Sequence, residues 1–581
     1  MKKKKLLFIF ILPTFLASVE ITAQTEVEKT LDKITSDYWD REQKRGTGFS
    51  THQPVFPEHL NKGTQADFES DAQYFSGVLN HLKGIHSGEL SDESQTNYDL
   101  MVWIATMRLE RTQYYDQMFP PITPYHFFLL GEDKMLSQLV FERNSDGDRY
   151  LRLLHEYAEK QRFHQEKLAS MGSKGVLLPR LEVEKTIGFL KGFHKMPSEL
   201  VFFVKTERLL KLDSFYRKAF QAEVATVIEQ EIIPAFDALA TYLEGDYLNR
   251  APETVGLGQY PKGKEYYKFL IKWHTTTNLS PEAIFDLGQQ NVAQIRQSLD
   301  SMRRGLGFVG DMKAFYQFLQ KDSRFLAKTS DEVGALLKGH LRKMEAVIPR
   351  LISVKPKAPY DVRRLPLELE PSMTFGYYHA PSITDTVGVY LYNGSKLDQR
   401  SLVSAASLAF HEIMPGHHWQ INIQGEDSLL PAFRKNLDVN AYSEGWGDYA
   451  SSLGTELGLY SDPYDYCGRL VMDMFLSVRL VVDVGMNYQG WSLEQATDYM
   501  KEHVIESEEQ IKTERIRYSC DIPGQALGYK MGCLQFWALR HKYETALGKD
   551  FSVVVFHDRI LKMGALPLGV LEKELDRTFM H

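Results

Sequence analysis

The stretch His411-Glu412-Ile413-Met414-Pro415-Gly416-His417-His418 decides how the rest of this 581-residue sequence is interpreted. It is a lengthened form of the His-Glu-x-x-His pattern, in which two imidazoles one helical turn apart reach one zinc ion and the Glu acts as general base. Here the second His comes two or three residues late. In a regular helix neither His417 nor His418 would stand beside His411, so the spacing needs a structural explanation.

Pro415 and Gly416 offer that explanation. Pro415 donates no N–H, and its ring opposes the carbonyl of His411 four residues earlier. Gly416 permits backbone angles that other residues resist. We therefore predict a broken turn at Pro-Gly that brings His417 to the place of the second ligand, with His418 as the alternative. The competing interpretation is a helix that ends at Pro-Gly and carries two surface histidines.

A third metal ligand should come from elsewhere in the chain. Glu444, in the sequence Ser-Glu-Gly-Trp-Gly, follows Glu412 by 32 residues, which leaves room for a loop and a returning helix. Two His and one Glu would hold Zn²⁺ with the fourth position open for water. We expect His411, His417 and Glu444 to bind the metal and Glu412 to act as general base. Asp448, one turn after Glu444, is a candidate partner for a ligand imidazole.

Two further tyrosines and two arginines are candidate site residues. Tyr518 and Tyr529 could each donate a hydrogen bond to the oxyanion of a tetrahedral intermediate. Either Arg515 or Arg517 could bind a carboxylate of the substrate. The chain has 30 tyrosines, and any single one is more often found packing at a core edge.

The chain resembles the bacterial family catalogued as domain of unknown function 885. The resemblance runs through segments spread over most of the sequence: 267–270, 274–282, 381–393, 411–420, 444–446, Tyr518, 523–532, 556–558 and 564–568. The pattern of that family has Ala where this chain has Gly447, and we expect this exchange of one small residue for another to have little effect. The resemblance implies a metallopeptidase-like site of two His and one Glu, and it implies no particular substrate.

Helical periodicity dominates the rest of the sequence. Segments 150–170, 205–245, 281–304 and 331–352 carry it with few breakers, and Ser280-Pro281-Glu282 is a helix start signal. Strand-like alternation is confined mainly to 386–392. We expect a mainly α, zincin-like metallopeptidase fold with a short β segment near the active-site cleft. That segment would be an edge strand on which an extended peptide substrate pairs its backbone.

The proline-rich stretch 355–371 is the best candidate for a linker. It would divide a helical N-terminal lobe, residues 24–355, from a metal-binding catalytic lobe, residues 356–581. The boundary is soft, and the two lobes could share one core. We expect the substrate cleft between them.

The N-terminus has the pattern of a secretory signal. Residues 2–5 are lysines, 6–17 are mainly apolar, and Ala23 is a plausible cleavage position, so residues 1–23 are expected to be removed. The apolar run is too short to span a bilayer, so no stable membrane insertion follows cleavage. The expected location is the periplasm or the outside of the cell.

Charge excludes one class of partner. The formal net charge is -8, and residues 1–23 carry four Lys and one Glu, so their removal brings it to -11. An acidic chain without a basic stripe does not suit nucleic acid.

The expected function is therefore that of an exported zinc metallopeptidase that acts on short peptides. One alternative is a zinc hydrolase of another amide or ester, because polarising a carbonyl is the same task in each. The other is an exported binding or structural protein with a non-catalytic metal site. Glu412 argues against the latter, since a structural zinc site has no use for a base.

Overall fold

The computed structural model describes residues 25–48, 54–367, 370, 375–382 and 385–580. The predicted signal segment, 1–23, lies outside these residues. No helix in the described ranges combines the length and apolarity needed to cross a membrane. The fold is mainly helical, with one small sheet.

The α-helices of the described chain, in order, are α1 (Glu26–Lys44), α2 (Gln65–Lys83), α3 (Asp92–Arg111), α4 (Pro124–Leu130), α5 (Asp133–Gln138), α6 (Asn144–Ser173), α7 (Arg180–Lys191), α8 (Ser214–Val227), α9 (Ile233–Tyr242), α10 (Leu248–Arg250), α11 (Gly263–Thr275), α12 (Pro281–Gly305), α13 (Met312–Lys321), α14 (Ser330–Val347), α15 (Ala405–Glu412), α16 (His417–Glu426), α17 (Ala432–Lys435), α18 (Asn440–Ser452), α19 (Pro463–Val484), α20 (Leu493–His503), α21 (Glu508–Ile516), α22 (Leu527–Leu547), α23 (Val553–Met563) and α24 (Leu568–Phe579).

The predicted helix over 281–304 is confirmed as α12. Its start follows from local chemistry, because the Ser280 hydroxyl accepts the Ala283 N–H at 3.2 Å and Pro281 occupies the first turn. The helices predicted over 150–170 and 331–352 correspond to α6 and α14. The stretch 205–245 begins its long helix only at Ser214, where Asp213 caps α8.

The sheet has three strands: β1 (Tyr360–Arg364), β2 (Gly376–His379) and β3 (Gly388–Tyr392). β3 confirms the strand predicted from the alternation, but it is not an edge strand. It pairs in parallel with β1 on one side and antiparallel with β2 on the other. The predicted pairing of a peptide with 386–392 is therefore wrong, because both sides of β3 already hold ladder partners. β1 also occupies part of the expected linker.

Three buried apolar clusters form the core, and each draws residues from both sides of residue 355. The first joins the helices around α6 and α9 to α11 and to Leu480. The second joins α2, α3 and α14 to α15, α18 and α22. The third joins α12 and α13 to α19 and α20. The division into two lobes stays a prediction, and the packing runs across its boundary.

Helices α18 and α22 cross with their backbones in contact. A Cβ built on Gly532 would lie 1.9 Å from the Ala441 carbonyl oxygen and 2.6 Å from the Cα of Gly445. Atoms cannot approach so closely, so only glycine fits at this crossing. The crossing fixes the position of α18 relative to α22, and both helices carry candidate site residues.

We predict that Gly532→Ala lowers the stability by about 1–3 kcal/mol or more, because the added methyl group forces the two helices apart. Urea unfolding measures this. Gly188→Ala is the matched control: Gly188 is an exposed position of α7 with nothing within 4 Å of a built Cβ. That change should stabilise the protein by about 0.5–1 kcal/mol. Equal midpoints for the two variants would contradict the role of the crossing.

Candidate metal centre

The lengthened motif folds as two helices with a break between them. α15 ends at Glu412 and α16 begins at His417. At the break, the Gly416 N–H donates to the Phe410 carbonyl oxygen at 3.0 Å. A Cβ on Gly416 would lie 1.7 Å from the His411 carbonyl oxygen. The predicted broken turn is confirmed, and it requires glycine because the chain turns back against its own backbone.

Trp446 ties this break to helix α18. Its indole Nε1–H donates to the Pro415 carbonyl oxygen at 2.9 Å, and its side chain is fully buried. The Pro415 carbonyl lies in the turn between α15 and α16, where it has no helical hydrogen bond. The indole N–H supplies the hydrogen bond that this buried acceptor needs. The neighbouring Glu444 is thereby placed opposite the two histidines.

His411, His417 and Glu444 come together as one group. Their nearest ligand atoms all lie within 4.8 Å of one another. Oε2 of Glu444 is 3.6 Å from Nε2 of His411 and 3.3 Å from Nε2 of His417. Ligand atoms about 2.1 Å from one tetrahedral zinc ion would be separated by about 3.4 Å. The two measured distances bracket that value.

The charges in the group are strongly coupled. Burial alone would lower the pKa of His417, but the adjacent Glu444 and Glu412 carboxylates outweigh it and raise that pKa to about 9. Burial alone would raise the pKa of Glu444, but the two imidazoles hold it well below its usual range. A carboxylate that stays ionised and two imidazoles with their Nε2 atoms turned toward it are a donor set for a divalent metal.

Unsatisfied polar atoms test whether a metal fits here. In the described part of the chain, Oε2 of Glu444 is buried and has no hydrogen-bond partner. Such an atom is costly unless something is bound to it. The two-nitrogen, one-oxygen donor set suits zinc, and a metal would satisfy the orphaned oxygen. The residues therefore fit a zinc ion.

His418 points away from this group. Its Nδ1 lies 2.9 Å from the Tyr378 hydroxyl, and its Nε2 lies 3.1 Å from the Ala358 carbonyl oxygen. It is fully buried. These contacts fix α16 against the sheet, so the geometry separates the roles of the two adjacent histidines.

Glu412 lies beside the group without being one of its three donors. Burial is the main reason its pKa is raised, and Glu444 adds to the effect, while the two imidazoles oppose it. The backbone N–H of Tyr378, on β2, donates to its carboxylate. The short sheet therefore lies at the site, as the sequence led us to expect.

The structure separates the two candidate tyrosines. The Tyr529 ring is parallel to the His411 ring, with centroids 6.1 Å apart. Burial, with the charge of Glu444, raises the pKa of Tyr529 to about 12, so its hydroxyl is protonated. Tyr518 is fully buried, and its hydroxyl donates to Glu514. A hydroxyl has one proton to donate, so Tyr518 is already engaged.

The two arginines are also separated. Arg517 donates to Gln525 at 2.7 Å, and it hydrogen-bonds Tyr529. Arg515 instead donates to Thr497 on α20 at 2.7 Å. Among the described residues, no contact joins Arg515 to the three donors. Residues two apart in a helix point about 200° from each other, so one site could accept only one of them.

Two neighbours of the donors differ from expectation. Asp448 does not hydrogen-bond a ligand imidazole; it is fully buried and ion-paired with Arg469 at 3.0 Å. Gly447 packs directly on a ligand ring, because a Cβ there would lie 2.7 Å from Cε1 of His411. An Ala at this position would displace the imidazole or the helix. Gly and Ala are therefore not interchangeable at position 447 of this chain.

Sequence reasoning missed two residues at the site. Tyr378 contacts both Glu412 and His418. The guanidinium of Arg479 lies 4.7 Å from the Tyr529 ring centroid. The sequence held a signal for Arg479, because it is the only Lys or Arg in the mainly apolar stretch 474–484 of α19. A buried charge in such a run needs a partner.

Comparison with known proteins gives a fold and a family. No curated protein matches the sequence. The structure is similar to that of the putative lipoprotein from Colwellia psychrerythraea, with a TM-score of 0.84 and 24% identity over 96% of this chain and 100% of that one. It is also similar to a putative lipoprotein of unknown function from Shewanella oneidensis, with a TM-score of 0.71 and 17% identity over 95% of this chain and 100% of that one.

At these identities the two structures establish a shared fold alone. The family is established separately, because the model of the bacterial protein family of unknown function DUF885 matches residues 44–575. The chain belongs to the DUF885 family.

Proposed function

We propose that this protein is an exported, zinc-dependent metallopeptidase that hydrolyses peptide bonds in short peptides. One observation carries the proposal: three donor atoms of His411, His417 and Glu444 lie within 4.8 Å of one another, with the Glu412 carboxylate beside them. A fourth, acidic side chain next to a three-donor group is the arrangement that hydrolysis needs and a purely structural site does not.

Zinc is the metal that the donor set suits, and His411, His417 and Glu444 would hold it. When bound it would supply Lewis acidity, which makes water a better nucleophile and a carbonyl a better electrophile. The protein contributes the rigid frame, since Gly416 and Trp446 hold together the three helices that carry these side chains.

Glu412 is the proposed general base. Its carboxylate takes the proton from the attacking water and passes it to the leaving amine. A pKa raised by burial suits that exchange, because a stronger base accepts the proton more readily and still returns it. The Tyr378 N–H that donates to this carboxylate fixes its orientation.

Tyr529 and Arg517 are the proposed substrate contacts. The protonated Tyr529 hydroxyl can donate to the oxygen that gains charge in the transition state. Arg517 holds this phenol in place, and its guanidinium lies 5.3 Å from the Tyr125 ring centroid. A planar guanidinium fixed in this way suits a carboxylate of a peptide. The contacts of Tyr518 and Arg515 favour structural roles for those two residues.

Export is part of the proposal. The N-terminal pattern of lysines followed by an apolar run supports it. Proteins with similar structures are described as putative lipoproteins, which agrees with a place in the cell envelope or outside the cell. A peptide in the envelope or outside the cell is the substrate class we propose.

We predict that His417→Ala loses its zinc while His418→Asn retains it. Loss of a metal ligand should lower the metal affinity by more than the roughly 10- to 100-fold that is lost when a residue hydrogen-bonded to a ligand is removed. Elemental mass spectrometry of the purified variants, after dialysis against limiting zinc, measures the metal content. Circular dichroism checks that both are folded. Zinc retained by the first variant and lost by the second would overturn the ligand assignment.

We further predict that Glu412→Gln keeps one zinc per chain and loses activity by about 10²-fold or more in kcat. The amide is the same size as the carboxylate but cannot accept the proton. The activity is first sought with a library of short peptides, with amide and ester substrates run in parallel. If only the amide or ester substrates are hydrolysed, the protein is a zinc hydrolase of another amide or ester and not a peptidase. If zinc is bound but no substrate is hydrolysed, the protein is a non-catalytic metal-binding protein.

A further inference from the structure

Two cations lie in the protein interior without a carboxylate partner. Lys167, on α6, is only 8% exposed, and Arg111, the last residue of α3, is partly buried. In the part of the chain that the structure describes, neither side chain forms a hydrogen bond or an ion pair. Neither belongs to the candidate metal centre. Buried Lys and Arg side chains are rare unless they are paired, so these two need an explanation.

Phe68 of α2 packs against both cations. The guanidinium carbon of Arg111 lies 5.3 Å from the centroid of the Phe68 ring, and Nζ of Lys167 lies 5.7 Å from the same centroid. Nζ of Lys167 is also 4.5 Å from the ring centroid of Tyr115. Aromatic faces attract cations, but they offer no oxygen or nitrogen lone pair. The N–H donors of both side chains therefore still need a hydrogen-bond acceptor.

The carboxylates whose charge reaches these cations are held by other basic residues. Asp116 acts on Lys167, but it is paired with another lysine at 2.7 Å. Asp71 and Glu42 act on Arg111, but they are paired with another arginine at 2.5 Å and 3.1 Å. Within the described ranges, the two cations therefore carry positive charge that no acid neutralises by direct contact. Such a concentration of charge attracts an anion.

Burial makes these two charges costly. Burial, with the like charge of Arg111, lowers the pKa of Lys167 to about 7. Burial and the charge of Arg108 lower the pKa of Arg111 to about 10, so its guanidinium stays charged at neutral pH. An anion bound beside both groups would offset their repulsion and favour the charged form of the ammonium.

The ammonium of Lys167 faces open space, and this is the second, independent observation that indicates a ligand. Among the described residues, the polar atoms that are sealed from solvent and lack a partner include neither Nζ of Lys167 nor any nitrogen of Arg111. The stem of Lys167 is thus enclosed, while its charged end points into a recess that solvent reaches.

Two neutral hydrogen-bond donors lie near the two cations. Burial, with the charges of Lys167 and Arg111, lowers the pKa of His126 on α4 to about 4. Burial raises the pKa of Tyr266 on α11 to about 12, and the charge of Arg111 opposes this. At neutral pH the imidazole keeps one N–H and the phenol keeps its O–H. Neither side chain has a hydrogen-bond partner in the described part of the chain, so both donors are free for a ligand.

We infer that the recess at Lys167 and Arg111 binds a phosphate group, either free or as the ester of a small molecule. Two cations balance the two negative charges of the group, and a planar guanidinium can bind two phosphate oxygens side by side. His126 and Tyr266 can donate to the remaining oxygens. The inference does not depend on the proposed peptidase activity, and the metal donors take no part in it.

The test is calorimetric titration of the purified protein with inorganic phosphate at constant ionic strength. Glycerol 3-phosphate is titrated in parallel to distinguish an ester from free phosphate, and potassium chloride is the control for unspecific attraction of anions. All three are titrated into zinc-loaded and metal-free protein, since phosphate could also coordinate the metal. We expect saturable binding of phosphate or of the ester, equal in the two preparations and at least about tenfold tighter than that of chloride.

Three variants locate the site, and circular dichroism checks that each is folded. Lys167→Met keeps a long side chain without its charge, and Arg111→Gln removes the guanidinium; each should weaken binding by about tenfold or more. Arg152→Met removes an exposed cation from the same helix as Lys167 and should leave binding unchanged within about twofold. The inference is wrong if the wild type binds neither phosphate nor the ester saturably, if binding requires zinc, if chloride binds as tightly, or if Lys167→Met and Arg152→Met behave alike.

Discussion

The contact between the Gly416 backbone and the His411 carbonyl is the constraint on which the candidate centre depends. It lets the chain turn back within four residues, so that His417 faces His411 although the spacing forbids this in a regular helix. The turn leaves a buried carbonyl at Pro415, and the Trp446 indole satisfies it. A local break and a distant helix therefore stabilise each other.

Three consecutive residues of α18 build the candidate centre, each through a different contact: Glu444, Gly445 and Trp446. Glu444 supplies the carboxylate that faces both imidazoles. Gly445 lets α18 cross α22 in backbone contact, which places Tyr529 of α22 beside the ring of His411. Trp446 holds the break in the lengthened motif. A short run of sequence thus links the candidate metal centre, the packing of α18 on α22 and the turn at Pro415.

Sequence alone predicted the helical character, the start of α12, the broken turn and the grouping of His411, His417 and Glu444. It could not predict β1 or the central position of β3, because pairing partners are set by tertiary structure and not by alternation. It also could not choose between Tyr518 and Tyr529. Both are plausible donors by residue type, and only the contact of Tyr518 with Glu514 shows that its proton is already used.

The central proposal is that the side chains of His411, His417 and Glu444 bind one zinc ion. Its most direct test is a crystal structure of the zinc-loaded protein with anomalous diffraction measured at the zinc edge. The account predicts one anomalous peak about 2.0–2.2 Å from Nε2 of His411, Nε2 of His417 and a carboxylate oxygen of Glu444. No peak there, or a peak on His418, would contradict it.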